Sequence, residues 1–506
     1  MATSTSNPAQ VLPGRGVGFL TLGASLHHVL TRLKSLPQLY PSLDLVYDSA
    51  KPVQEAVFIR LPVNGLRLRF DGPDQRLRLI EVLDFSKIPL VYKSHEVVKA
   101  SKPADGQSSP GPSFRHIYNR LFGPSYPGEY IPAKLGDTRG TYLLSYPGVA
   151  FSFPLLHTAW SETRDFVSLM SSSSASAATS MVIFQGSSWT DARTNLFTRP
   201  PQNPRSTVLL GKNKESVADE VDLMKVHEGG RIELMRRSSN PFWIILGETT
   251  PQDIVTELGP PDAIYRKSDQ RILIHGSRDQ PTPNSHRTDM SPFQGATHTE
   301  FDNPSEHALT DGSDEDTSPT VTQDPSSLAD ACFYNYFHHG FDILISAPSP
   351  TERRSPGSPT REPSSTIGTP QLTAQKILFH GNVPGSYPFN RHRRCRWVLD
   401  VGLDEGILSS ETPYEQISPI LKDYWKDAYA SAEEEADLQR GMVLNRGWGD
   451  MPGSVDTLGH WEGTGKHRRD ADSETTDALG NTRLYGFPGL LFEVLKNDVV
   501  SCLTVY

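Results

Sequence analysis

The chain has 506 residues, 49 Lys and Arg against 59 Asp and Glu for a formal charge of −10, and is rich in Pro (41) and Gly (39). That length holds at least two cores, while the acidic balance excludes a general nucleic-acid or membrane-coating surface and leaves room for one local basic patch. Three scattered cysteines, Cys332, Cys395 and Cys502, show no CxxC or metal spacing and fit a reducing compartment. With a polar start and no apolar run of about 18 residues, the expectation is a cytoplasmic protein whose membrane contact is peripheral.

In chain order, residues 1–13 read as a disordered tail. Gly14-Arg15-Gly16-Val17-Gly18 mimics a glycine-rich loop but follows no strand, so it reads as entry turns. A first α+β region, 14–240, opens with Ser25 capping a helix whose Leu26, Val29, Leu30 and Leu33 make one apolar stripe. Strands at 43–47 and 56–61 follow, then Gly65-Leu66-Arg67-Leu68-Arg69-Phe70, where period-two alternation separates an apolar from a basic face. The turn Asp71-Gly72-Pro73-Asp74 returns the chain into Leu77 to Val82. A second unit repeats the order after a polar linker at 101–112: Ser113 caps a short helix to Leu121, and strands run at 141–144, 148–153 and, past a Ser/Ala tract, 181–184.

The second α+β region, 241–506, holds two more units. Thr250-Pro251-Gln252-Asp253 is a capping box with Pro at the first helical position. Strands are expected at 263–265, 271–274, 332–337, 341–345 and 377–379. The fourth unit starts at Thr412-Pro413-Tyr414-Glu415, where Pro419 should kink or delay the helix. It closes with a hairpin from Leu490 to Val505, and the finish at Tyr506 suggests that this last strand is held in a sheet. Polar insertions near 276–329, 347–370 and 453–481 read as disordered. The fold class is therefore α+β: repeated short-helix plus antiparallel-hairpin units packed as two pairs. Unrelated helices and hairpins sharing common turn rules are the alternative.

No Walker loop, dinucleotide fingerprint, HExxH, nucleophile elbow or kinase string is present. The reading is non-enzymatic, with no cofactor, no metal site and no small-molecule or nucleic-acid ligand. The acidic run Glu433 to Asp437 is a solvated helix face, and His338 and His339 near Cys332 lack a converging ligand set. An enzyme would need separated groups such as Asp342, His380 and Asn382 to converge. The strongest candidate site is Arg391-His392-Arg393-Arg394-Cys395-Arg396-Trp397, four arginines in six residues of an acidic chain. Guanidinium forks suit phosphate oxygens and Trp397 suits an interface, so Arg391, Arg393, Arg394, Arg396 and Trp397 are candidates for phosphate or lipid contact. A solvated edge strand or partners for nearby carboxylates, and a protein interface, are the other uses.

Thr21-Leu22-Gly23, Gly65 to Phe70 with Gln75-Arg76-Leu77 and Ile80-Glu81-Val82, Asn335-Tyr336-Phe337 with Gly340 to Leu344, and Pro384-Gly385-Ser386-Tyr387-Pro388-Phe389-Asn390 through Cys395 carry a resemblance. Together, spanning about residues 14–506, they resemble the phagophore (phagosome) assembly factor family. The resemblance implies a non-enzymatic autophagy adaptor that pairs with a β-propeller partner and is recruited to phosphoinositide-containing phagophore membranes. A trafficking scaffold outside autophagy is the alternative. His392, Arg394 and Cys395 match a family-like string, and the long Ser/Thr/Pro insertions depart from compact members.

Overall fold

The computed structural model describes residues 8–99, 111–133, 137–197, 219–266, 331–347, 371–400, 408–429, 431–445 and 481–506. The strand expected at 271–274 and nearly all of the three insertions lie outside these residues. So do residues 1–7 of the expected tail, whereas Ala9–Leu12 of that tail is a strand with Val11 fully buried.

The chain runs twice through one succession of elements. The first pass is β1 (Ala9–Leu12), β2 (Gly16–Val17), β3 (Leu20–Thr21), α1 (Leu26–Lys34), β4 (Asp44–Val46), β5 (Val57–Leu61), β6 (Leu66–Phe70), β7 (Leu77–Val82), β8 (Leu90–Tyr92), β9 (His95–Glu96), α2 (Phe114–His116), β10 (Glu129–Ile131), β11 (Arg139–Tyr146), β12 (Val149–Leu156), α3 (Phe166–Met170), β13 (Ser180–Ile183) and α4 (Trp189–Thr194). The second is β14 (Val221–His227), β15 (Arg231–Arg236), β16 (Phe242–Ile245), α5 (Pro251–Leu258), β17 (Ala263–Arg266), β18 (Cys332–Tyr336), β19 (Phe341–Ser346), β20 (Thr373–His380), β21 (Trp397–Asp400), β22 (Leu408–Ser409), α6 (Tyr414–Tyr424), α7 (Ala432–Gln439), β23 (Met442–Asn445), β24 (Asn481–Phe487), β25 (Leu490–Val494) and β26 (Val500–Val505).

Each pass builds a five-stranded and an eight-stranded sheet. The first has orders β3-β2-β1-β8-β9 and β10-β11-β12-β13-β7-β6-β5-β4. Shifting every strand number from β1 to β14, β2 to β15 and onward reproduces both orders in the second. The parallel pair recurs as β1 with β8 and β14 with β21. A β-bulge recurs at the same distance from the hairpin glycine, at Arg69/Phe70 and Leu344/Ile345. The protein is thus a mixed α+β fold of two similar sheet-and-helix units, each with its own apolar core.

Local chemistry explains the shared parts. Ser25 and Ser113 accept the N–H of His28 and His116 at 3.2 and 3.3 Å, and Thr250 with Asp253 forms the full capping box. α1 buries Leu26, Val29, Leu30 and Leu33, and α6 buries Tyr414, Ile417 and Leu421. The hairpin glycines Gly65, Gly148, Gly340 and Gly489 all have positive φ; a Cβ on Gly340 would stand 2.3 Å from the Arg393 carbonyl oxygen. α6 corrects one expectation, because it starts at Tyr414 and runs through Pro419, which lies on its exposed side. Thr412 does not cap it. The cap comes from the final hairpin turn, where Asp498 takes the N–H of Tyr414 on its carbonyl and that of Glu415 on its carboxylate.

Candidate functional site

The arginine segment is irregular up to Arg396, and β21 then starts at Trp397. Its position differs from a solvent-facing cluster: Arg393, Arg394 and Trp397 are buried, and Arg396 is half-buried. Arg394 donates to the carbonyls of Pro73, Gly381 and Ser410 at 2.7, 2.7 and 3.1 Å and meets Glu411 at 3.3 Å. Arg396 bridges Asp74 and Glu411 at 2.7 and 2.9 Å. Arg393 donates to the Val221 carbonyl and pairs with Glu220 at 3.0 Å, a carboxylate also held by Arg76 at 2.9 Å. Burial and Arg76 lower the Arg393 pKa to about 10, which leaves it charged at neutral pH. Burial opposes the charge on Arg396, but Glu411 and Asp74 raise its pKa overall.

These bonds fasten the β6–β7 turn of the first unit to the β20–β21 connection of the second. Gln75 and Asn382 complete the seam by exchanging amide bonds at 2.9 and 2.8 Å. Both adopt positive φ, a conformation that non-glycine residues hold only when their surroundings fix it. A guanidinium whose N–H groups are already spent on protein carbonyls offers little to a phosphate. Arg391 is the exposed arginine of the cluster, its guanidinium 4.6 Å from the centre of the Tyr387 ring. Cys395 is buried, and burial pushes its thiol to about 12, which makes it inert.

Beside the seam, Asp342 gathers two histidines. His380 Nε2 lies 2.8 Å from Oδ2 and His392 Nε2 lies 3.0 Å from Oδ1. Burial would lower His380, yet Cys502 and Asp342 raise it, whereas burial keeps His392 low. The two imidazole rings share one carboxylate. Among the described residues these three are grouped closely enough to hold a metal ion. Their rings, however, stack 3.8 Å apart at 17°, so their in-plane lone pairs run side by side. A shared metal needs those axes to converge at about 2.0–2.1 Å from each nitrogen. Asp342 and His380, named from sequence, do meet; Asn382 points instead to Gln75.

A third feature separates the two units. In the first, the β1–β2 turn closes on the β11–β12 hairpin, with Gly14 N–H bonded to the Gly148 carbonyl at 3.0 Å. Gly229 and Gly489 are the counterparts, with φ 70° and 73° against 70° and 80°. Between them lies an open cavity of about 570 Å³. Leu246, Trp425, Leu490, Val505 and Tyr506 supply its apolar lining, and His227, Glu228 and Gln375 its polar side chains.

A family model described as phagosome assembly factor 1 matches residues 16–291 and 317–506. The chain belongs to the phagosome assembly factor 1 family. A PHAF1 protein of Arabidopsis thaliana is 22% identical over 509 residues, covering 98% of this chain and 92% of the relative. PHAF1 proteins of Drosophila melanogaster and Caenorhabditis elegans are 24% and 25% identical, each covering 96% of this chain and 90% of the relative. No solved structure matches the chain. The phagosome assembly factor match thus covers both units and the seam joining them.

Sequence reasoning found the arginine run and missed its neighbours. Glu220, Glu411, Asp74 and Gln75 are distant in the chain, and nothing local marks them as its partners. Partnership with carboxylates was one of the uses open to the run from sequence, and the structure pairs Arg393, Arg394 and Arg396 with Glu220, Glu411 and Asp74.

Proposed function

We propose that this chain is a non-enzymatic recruitment scaffold of phagosome (phagophore) assembly, acting in autophagy beside a β-propeller partner at phosphoinositide-containing membranes. One observation carries the reading: the family model spans both sheet-and-helix units. The physical character of the molecule supports it. Its best-defined polar cluster, the arginine seam, is spent on internal bonds, as suits a body that holds a shape. Membrane affinity in this reading resides in the assembled pair, with Arg391 as this chain's contribution from the arginine run.

The test is expression of the tagged full chain in fed and starved cells. A β-propeller subunit should co-purify at stoichiometric yield, and the chain should collect at phagophores on starvation. A chain that stays diffuse and yields no propeller under mild lysis overturns the proposal. In flotation with phosphoinositide vesicles, the pair should float where the chain alone remains soluble, and Arg391→Ala should weaken flotation in a salt-sensitive way.

A further inference from the structure

The seam has two chemically different ends. At Arg394 every guanidinium nitrogen has a protein acceptor: Nε on Pro73, Nη1 on Gly381 and Nη2 on Ser410. At Arg393 donors are left over. Three guanidinium groups there face two carboxylates. Arg76 and Arg393 reach the same oxygen of Glu220, at 2.9 and 3.0 Å, and Arg237 grips Asp222 through two bonds of 2.8 Å. Two further contacts, Arg76 to Asp222 at 3.9 Å and Arg237 to Glu220 at 4.0 Å, are ionic but too long for hydrogen bonds. Arg76 Nη2, Arg237 Nη1 and Arg393 Nε are buried with no acceptor among the described residues. His339 adjoins them in the β18–β19 turn, where the His338 carbonyl meets Arg393 at 3.5 Å, and neither of its buried ring nitrogens is bonded.

Neighbouring carboxylates do not make up the difference. Asp74 is held by Arg396 and Arg78, Asp71 by Arg78, and Asp262 by His338 at 2.6 Å. Three positive groups against Glu220 and Asp222 leave one positive charge over. Burying such a charge is costly, and buried donors in native proteins are seldom left unmatched. The electrostatics carry the same sign: Arg76 adds to burial in lowering the Arg393 pKa, and His338 and Arg393 add to burial in lowering that of His339. Arg76, Arg393 and His339 are buried, while Glu220, Asp222 and Arg237 are half-buried, so the cluster reaches the surface on one side.

We propose that this cluster binds one halide ion, chloride in class, between the two units, through Arg76 Nη2, Arg237 Nη1, Arg393 Nε and a ring N–H of His339. Each residue brings a single leftover group from a separate stretch of chain: the β6–β7 turn, the end of β15, the β20–β21 connection and the β18–β19 turn. A spherical ion accepts such separate donors. A carboxylate or phosphate is matched instead by paired N–H groups of one guanidinium, and Asp222 already takes that pair from Arg237. One negative charge completes the balance, and the ion ties Arg76 of the first unit to three segments of the second. The inference stands on this geometry and goes beyond the assembly role.

The experiment follows urea unfolding of the full chain over a chloride series, with gluconate holding the ionic strength constant. Above half-saturation the unfolding constant should fall by about tenfold for each tenfold rise in chloride, the slope of a single ion bound by the folded state. Broadening of the chloride-35 resonance by the native chain reads binding directly and needs no variant. Arg237→Gln, at the half-buried rim, and His339→Phe, which keeps an aromatic ring, should each weaken chloride binding at least tenfold. Arg67→Gln, an arginine paired with Glu81 outside the cluster, should leave slope and line width unchanged. Stability independent of chloride at fixed ionic strength would leave the donors to water and overturn the proposal. An equal loss in Arg67→Gln, or phosphate acting at lower concentration than chloride, overturns it as well.

Discussion

Replacing Arg394 by Met tests the seam, because Met keeps the apolar volume and removes the charge and every donor. The Arg394 side chain is fully buried, and it serves the carbonyls of Pro73, Gly381 and Ser410. Stranding three carbonyls costs about 1 kcal/mol each at the least, and breaking a buried charged pair costs about 3–5 kcal/mol in total. Glu411 keeps Arg396 as a partner, which removes part of that penalty. The expected loss is therefore about 4 kcal/mol. Urea unfolding followed by tryptophan fluorescence measures it, with Trp397 in the second core as one reporter. Arg391→Met, at the exposed end of the same run, is the control and should stay within about 0.5 kcal/mol of wild type. A loss below about 1 kcal/mol for Arg394→Met, or equal effects at the two positions, would refute the reading of this run as a seam.

Three further outcomes are expected. Gly340→Ala should destabilise by more than about 2 kcal/mol, while Gly123→Ala, at similar φ but with nothing within 4 Å of its Cβ, should show only the backbone strain of roughly 1 kcal/mol; denaturant midpoints compare them. His339 is buried with neither ring nitrogen hydrogen-bonded, and burial, then His338 and Arg393, hold its pKa well below 6.5. A depressed folded pKa means that the unfolded chain binds the proton first, so this contribution is full above 6.5 and is lost progressively as pH falls below it; His339→Phe should flatten that slope in unfolding midpoints. Thr250→Ala removes the capping box of α5 and should cost about 1 kcal/mol, read as a lowered midpoint and faster amide exchange at Asp253.

What was legible in the sequence was whatever local rules decide. The Ser25, Ser113 and Thr250 caps, the Leu26 to Leu33 stripe and the glycine-led hairpins at Gly65, Gly148, Gly340 and Gly489 rest on spacing and backbone freedom, and the structure contains each of them. The five-stranded sheets were largely hidden. β1 is joined to β8 and β14 to β21 by parallel pairing across long stretches of chain, and strands as short as Gly16–Val17 carry no period to detect. The cap of α6 was hidden for the same reason, since Asp498 lies 83 residues from Glu415. The arginine run was visible as charge, but its direction depended on carboxylates such as Glu220 and Asp74 that only the fold brings near.

The closed Gly14–Gly148 contact and its open counterpart bear on counting. A scaffold built twice over would ordinarily offer any ligand two equivalent seats and the avidity that goes with them. Here the contact is closed in the first unit and an open cavity takes its place in the second, so among the described residues the two units do not present the same surface twice. The doubling repeats the frame without repeating that surface, and anything able to tell the two surfaces apart would meet this body in a single orientation.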